Sequence, residues 1–238
     1  MRRALPLLLC VCGAASAADT NLVKNGSFDA VTMRHNASYM VDKDAHVQNW
    51  KTGGTSAGNG WGDYVVSPAW AATHVFDENY DFRLPAAFPD VSPEGGNFVL
   101  SDIGIHHGEI RQMVTGLVVG QTYRLSFYQA FAQDYRPWGK PEAIDGQWQV
   151  SFGDSSMLAA QMSADGRTGA FSTWALQSFE FVAGSSSQQL TFLSRGTGET
   201  GVAGLDGVRL YAVPEASTWA MLAAGLGLIG AAALRRRS

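Results

Sequence analysis

The sequence predicts an all-β antiparallel sandwich. Apolar and polar residues alternate at period two in segment after segment, and glycine- and serine-rich turns separate those segments at short spacing. No amphipathic run of about ten residues at helical period interrupts them between Asn21 and Val213. The clearest strand covers residues 122–131, where Tyr123, Leu125, Phe127 and Phe131 fall on one face. Further strands are expected at 97–103, 109–115, 147–152, 174–182, 188–194 and 205–212. Turn material lies between them at Gly95-Gly96, Gly116, Val119-Gly120, Gly153-Asp154, Gly184 with its three following serines, and Gly196-Thr197-Gly198. A chain of 238 residues without an internal repeat or linker suits one such domain. Charged residues make up 16%, against roughly 25% in ordinary soluble domains, which sets aside coiled-coil and disordered chains.

Both ends depart from this pattern. Arg2 and Arg3 precede an apolar run and the small residues Ala14, Ala15, Ser16 and Ala17, the layout of a secretory signal peptide, expected to end at residue 17. Cys10 and Cys12 both lie inside it, so the exported chain is cysteine-free and must hold together without disulfides. At the other end, Val213-Pro214-Glu215 leads into 16 uncharged residues at 219–234 and then Arg235, Arg236 and Arg237. At about 1.5 Å per residue that run, read as a helix, is barely long enough for a bilayer, with the arginines on the cytoplasmic side. The tail resembles the PEP-CTERM sorting signal of exopolysaccharide-producing Gram-negative bacteria, with Ala216 where that family usually has a second proline. The resemblance implies recognition by an exosortase at Pro214 and Glu215. It also implies export through the inner membrane by the Sec pathway, transient anchoring by a single transmembrane helix, and delivery to the cell surface or matrix. The plan is therefore residues 1–17 as leader, 18–212 as sandwich and 213–238 as sorting signal.

Without the leader and the apolar, arginine-ended tail, residues 18–215 keep 12 basic and 21 acidic residues, a net charge of −9. Such a domain repels extended polyanions, so nucleic acid is excluded as a partner. Neutral glycans and divalent cations remain compatible with it.

Several segments resemble galactose-binding-like jelly rolls of the carbohydrate-binding-module type. They are the opening Asn21-Leu22-Val23-Lys24-Asn25-Gly26-Ser27-Phe28-Asp29, then Gly96 to Leu100, Ile110 to Gln112, Gly120 to Phe127, Trp174 before Phe179-Glu180-Phe181, and the closing Leu205-Asp206-Gly207-Val208-Arg209-Leu210. The resemblance implies a jelly-roll β-sandwich and a structural Ca²⁺ tying the first strand to the last, with Asp29 and Asp206 at the matching positions. Ca²⁺ wants six to eight hard oxygen ligands, so backbone carbonyls would have to complete the shell. The reading of Asp29 and Asp206 as turn or cap residues stands beside it.

Sugar binding calls for exposed aromatic faces with amides or carboxylates nearby. Trp61, Tyr64 and Trp70 fall in one polar, glycine-bearing stretch, and Tyr135 and Trp138 in another, so these five are the candidates. Trp50, Trp148 and Trp174 are expected in the core. Gly54-Thr55-Ser56-Ala57-Gly58 matches a nucleophile elbow formally but lacks the strand and helix that motif needs. Phe152-Gly153-Asp154-Ser155 likewise follows an antiparallel strand, away from any Asp-x-x-His. His106 and His107 are adjacent, which on a strand turns them to opposite faces and away from one shared metal. The expected protein is thus a non-catalytic, exported surface or matrix component whose sandwich binds exopolysaccharide glycan. Two alternatives stay open: a purely structural biofilm-matrix component, and a glycan hydrolase with two carboxylates converging in a cleft.

Overall fold

The period-two pattern becomes two layers in space. The computed structural model describes residues 20–33, 41, 45–53, 62–73, 75–77, 82–89, 91–104, 106–135, 139–214 and 225–229. The leader assigned to residues 1–17 lies outside them. In chain order the strands are β1 (Val31–Met33), β2 (Ala45–Val47), β3 (Lys51–Thr52), β4 (Asp63–Val66), β5 (Val75–Asp77) and β6 (Phe82–Arg83). They continue as β7 (Phe98–Asp102), β8 (Glu109–Thr115), β9 (Thr122–Gln133), β10 (Ala143–Phe152), β11 (Ser155–Leu158) and β12 (Met162–Asp165). The last are β13 (Ser172–Val182), β14 (Ser187–Gly196) and β15 (Gly201–Ala212). A four-residue helix, α1 (Pro68–Ala71), follows β4 and has proline in its first turn, where a missing N–H costs nothing.

One sheet runs β11-β10-β14-β8-β3, with β12 also paired to β10; the other runs β13-β9-β15-β7-β4. Every pairing between these strands is antiparallel. The all-β antiparallel sandwich is therefore present, and each of the seven expected strands is found.

Inward-facing residues of both sheets make the main core. Tyr123, Leu125, Phe127 and Phe131 of β9 all enter it, as their shared face requires. Phe192 sits at its centre: its ring lies 5.0 Å from Phe127, 6.0 Å from Trp148 and 6.3 Å from Trp50, centroid to centroid. Trp50 and Trp148 are fully buried, as expected, and each indole N–H is satisfied: Trp50 donates to the Asn25 carbonyl at 2.9 Å and Trp148 to the Gly204 carbonyl at 3.0 Å.

A second apolar cluster lies on the outer face of the five-stranded sheet. It joins Tyr64, Val66, Phe98, Leu100, Ala130, Ala132 and Val202 to Ala71 of α1 and to Leu84 and Phe88. A sheet face covered in this way no longer shows clean alternation, which is why β4, buried along its whole length, escapes a periodicity reading.

The first segment closes the fold by docking on the last strand. Leu22 N–H donates to Leu210 C=O at 3.0 Å, and the Asn21 side chain accepts from Leu210 N–H at 2.9 Å. Asn25 adopts a left-handed conformation, φ 52°, which asparagine tolerates better than most residues. Gly26 then passes so close to β15 that a Cβ there would lie 2.0 Å from the Val208 carbonyl oxygen. Phe28 completes the turn and packs at 5.1 Å against Trp50. The Asn-Gly-Ser-Phe sequence is thus read by backbone geometry and core volume together.

Candidate functional site

Of the sorting residues, Pro214 is described: it is exposed, two residues beyond β15. Glu215, Arg235, Arg236 and Arg237 lie outside the described residues. Residues 225–229 are helical, with Leu226, Leu228 and Ile229 exposed. Among the described residues no helix is long and apolar enough to cross a membrane.

The aromatic candidates divide. Trp61 and Trp138 lie outside the described residues. Tyr64 is not a loop residue: it belongs to β4, faces the outer apolar cluster and is 1% exposed, so it offers no face to a ligand. Trp70, on α1, is half-buried against the same cluster. Tyr135 is also half-buried, just past β9; its N–H donates to Arg83 C=O at 2.8 Å and its hydroxyl lies 3.5 Å from Gly166 C=O. Trp174 corrects the core assignment. It is half-buried on the outer face of β13, whereas Phe179 and Phe181 of that strand turn inward. It packs edge-on against Phe98 at 5.4 Å and lies 6.4 Å from Phe88, which meets Phe171 at 5.5 Å. Trp70, Phe171 and Trp174 thus form a partly exposed aromatic margin to the five-stranded sheet. From Leu176 to Val182 the even positions of β13 point that way, beyond a register slip between Ser172 and Ala175, and only the full sheet order shows which side is outside.

Asp29 and Asp206 come from opposite ends of the chain to one neighbourhood. Asp206 stands where β15 slips register against β9, between Asp206 and Arg209, with Gly207 at φ 61°. Its side chain is fully buried. Ser92 Oγ donates to Oδ2, while Oδ1 has no hydrogen-bond partner among the described residues. Burial pushes its pKa up to about 7; the Ser92 hydroxyl opposes that, and the nearby charges of Asp29 and Glu94 add to it. Asp29 is exposed and accepts from Asn97 N–H at 2.8 Å, and Asn97 in turn donates to Phe28 C=O at 3.2 Å. Glu94 is held by Arg209. A buried carboxylate oxygen without a donor, beside a second carboxylate, has the donor chemistry of a hard-cation site. Among the described residues no group of three or more His, Cys, Asp or Glu is arranged to hold a metal ion.

A second buried acid, Asp63, gives no sequence signal. Thr52 Oγ1 donates to its Oδ2 at 2.6 Å and Ser101 Oγ donates to its Oδ1. It ties β3 in one sheet to β4 and β7 in the other. Burial raises its pKa to about 6, against hydrogen bonds from Ser101, Thr52 and the Glu109 amide. His107 is exposed and His106 half-buried in the turn before β8. The Phe152–Ser155 segment is the β10–β11 turn, with Gly153 at φ 58°, and holds no nucleophile elbow. Residues 54–58 lie outside the described residues.

Residues 212–237 match the PEP-CTERM protein-sorting motif. No curated protein matches the sequence. Among solved structures, the chain is similar to TmCBM61 in complex with β-1,4-galactotriose, with a TM-score of 0.43 and 14% identity over 82% of this chain and 99% of that one. It is similar also to the K1 cleaved adhesin domain of Lys-gingipain from Porphyromonas gingivalis W83, with a TM-score of 0.42 and 16% identity over 70% and 92% of the two chains. A third is the C-terminal CBM6 of LamC from Zobellia galactanivorans, with a TM-score of 0.32 and 11% identity over 63% and 98%.

Proposed function

We propose that this chain, carrying a PEP-CTERM motif at its C-terminus, is a non-catalytic protein exported through the inner membrane and processed by an exosortase. Its destination is the cell surface or an exopolysaccharide matrix. The observation that carries this reading is the motif itself, whose match begins at the last residue of β15. Pro214 stands exposed where the tail leaves the sandwich, so a membrane enzyme reaches it without opening the fold. The apolar run and the three terminal arginines hold the precursor in the bilayer until then. Replacing Pro214 and Glu215 by alanine and fractionating the cells tests it. The expected result is a precursor retained in the inner membrane; normal surface delivery of the double variant refutes the role of the motif.

The sandwich, on this reading a galactose-binding-like jelly roll, is the glycan-binding part. Trp70 and Tyr135, with Trp61 and Trp138, supply stacking faces. Asp29 and Asp206 hold a structural Ca²⁺ that fixes the first segment against β15; the unpartnered Asp206 Oδ1 supports this. When bound, the ion would supply charge compensation and rigidity, not reaction chemistry. A glycan-array screen with calcium and then with chelator checks both parts. Binding that disappears with Trp70→Ala supports the aromatic site. The absence of any glycan ligand favours a purely structural matrix component, a reading to which the buried Tyr64 lends support.

A further inference from the structure

The six-stranded sheet carries a basic pocket that neither the sorting motif nor the aromatic margin uses. It encloses about 370 Å³ and is lined by Lys24, Asn49, Lys51, Arg111, Gln112, Met113 and Gln189. Its origin is a peeling of the chain. β3 pairs with β8 at Lys51–Arg111 and Thr52–Ile110, and there the ladder stops. Asn49, at φ 68°, turns the preceding residues away from β8 and leaves Gln112 and Met113 without strand cover on that side. The Lys24 backbone fills part of the gap: its N–H donates to Gln112 Oε1 at 2.7 Å and its C=O accepts from Gln112 Nε2 at 2.8 Å. Lys24 is thereby fixed at the rim.

Three cationic residues meet here, although residues 18–215 carry a net charge of −9. Lys51 and Arg111 stand directly opposite each other across the ladder. Glu109 Oε1 lies 3.6 Å from Arg111 Nη1, longer than a hydrogen bond, and the Arg111 side chain remains 41% exposed. A like-charge cross-strand pair at the wall of a concavity has a physical use when an anion sits between the charges. The rest of the lining suits a sugar. Asn49 and Gln189 offer amides for hydroxyl groups, and Met113, 57% exposed, offers an apolar floor for the C–H face of a ring. The acid excess elsewhere on the domain disfavours a long polyanion and leaves a locally placed anion as the fit.

We infer that this pocket binds an anionic saccharide, a sugar bearing a carboxylate or a sulfate ester, through Lys24, Lys51 and Arg111. This rests on the glycan reading above and names its ligand class. The full chain in detergent micelles is titrated calorimetrically with oligogalacturonate, a sulfated galactan oligosaccharide, neutral galacto- and gluco-oligosaccharides, and inorganic polyphosphate. The expected result is binding of one or both anionic saccharides that weakens with salt. Lys24→Gln and Arg111→Gln should each lower the affinity by roughly tenfold, the loss of one charged hydrogen bond. Arg124→Gln, an equal charge change beside Glu180 on the other sheet, leaves it unchanged. Preference for the uronate assigns a carboxylate, and preference for the galactan a sulfate ester. Binding of neutral sugars alone overturns this inference and leaves the glycan reading standing. Equal binding of polyphosphate overturns the saccharide assignment. If no saccharide binds, both readings fall.

Discussion

Asp63 gives the fold a pH dependence of definite sign. The unfolded chain releases this proton near the ordinary carboxylate value of 3.8, whereas the native state holds it to about 6, burial being the main cause. Between those values the native state binds more protons than the unfolded chain. Stability contributed by this group is therefore full below pH 4 and falls as pH rises through 6. Two pKa units at about 1.36 kcal/mol each make the cost about 3 kcal/mol at pH 7. Asp63→Asn keeps the size and one acceptor oxygen for the Thr52 or Ser101 hydroxyl but removes the titration. Urea denaturation of both proteins at pH 4 and pH 7 isolates the effect, because every other titrating group, Asp206 included, is common to the pair. The variant should gain about 2.4 kcal/mol on the parent between the two pH values, since part of the loss has already occurred at pH 4. That is a relative midpoint shift of about 1 M if m is near 3 kcal/mol/M. Parallel stability curves would refute the assignment of a neutral, buried Asp63.

Three further outcomes are expected. Gly26→Ala forces a methyl against the Val208 carbonyl and should cost about 1–3 kcal/mol in a denaturation experiment. Phe192→Ala empties the centre of the aromatic core and should cost about 3–5 kcal/mol, read as a lowered Tm with binding of any saccharide retained at low temperature. Calcium at a hundredfold excess over its Kd should add about 2.7 kcal/mol to the stability of the parent protein and nothing to Asp206→Asn, measured by thermal denaturation with and without chelator.

The sandwich was legible because its long strands each have one wet and one dry face. β9 shows this best, since every residue expected inward is inward. The opening Asn-Gly-Ser-Phe segment was legible for another reason: left-handed asparagine, a close-packed glycine and a core phenylalanine are local demands. What stayed hidden depends on packing between distant segments. Tyr64 sits among polar, glycine-rich neighbours, which read as a loop, yet α1 and the 84–88 segment cover it. β11 is exposed at all four positions and so has no alternation to read. Asp63 resembles any turn aspartate until two sheets close over it. The basic pocket is a meeting of Lys24, Lys51 and Arg111, scattered along a chain whose overall charge is negative. Net charge forecasts repulsion of anions; only the pairing of β3 with β8 shows where that average fails.

The position of β15 sets an order of events in time. This last strand of the sandwich lies between β9 and β7, at the heart of its sheet, and it also receives Leu22 from the first segment. A ribosome delivers it after every other strand described. Until it arrives, β9 and β7 have no neighbour on that side and the first segment has nowhere to dock. The sheet therefore closes late, because its central pairings wait for the last strand. Cutting beyond Ala212 frees a finished domain, whereas a cut a dozen residues earlier would withdraw its keystone.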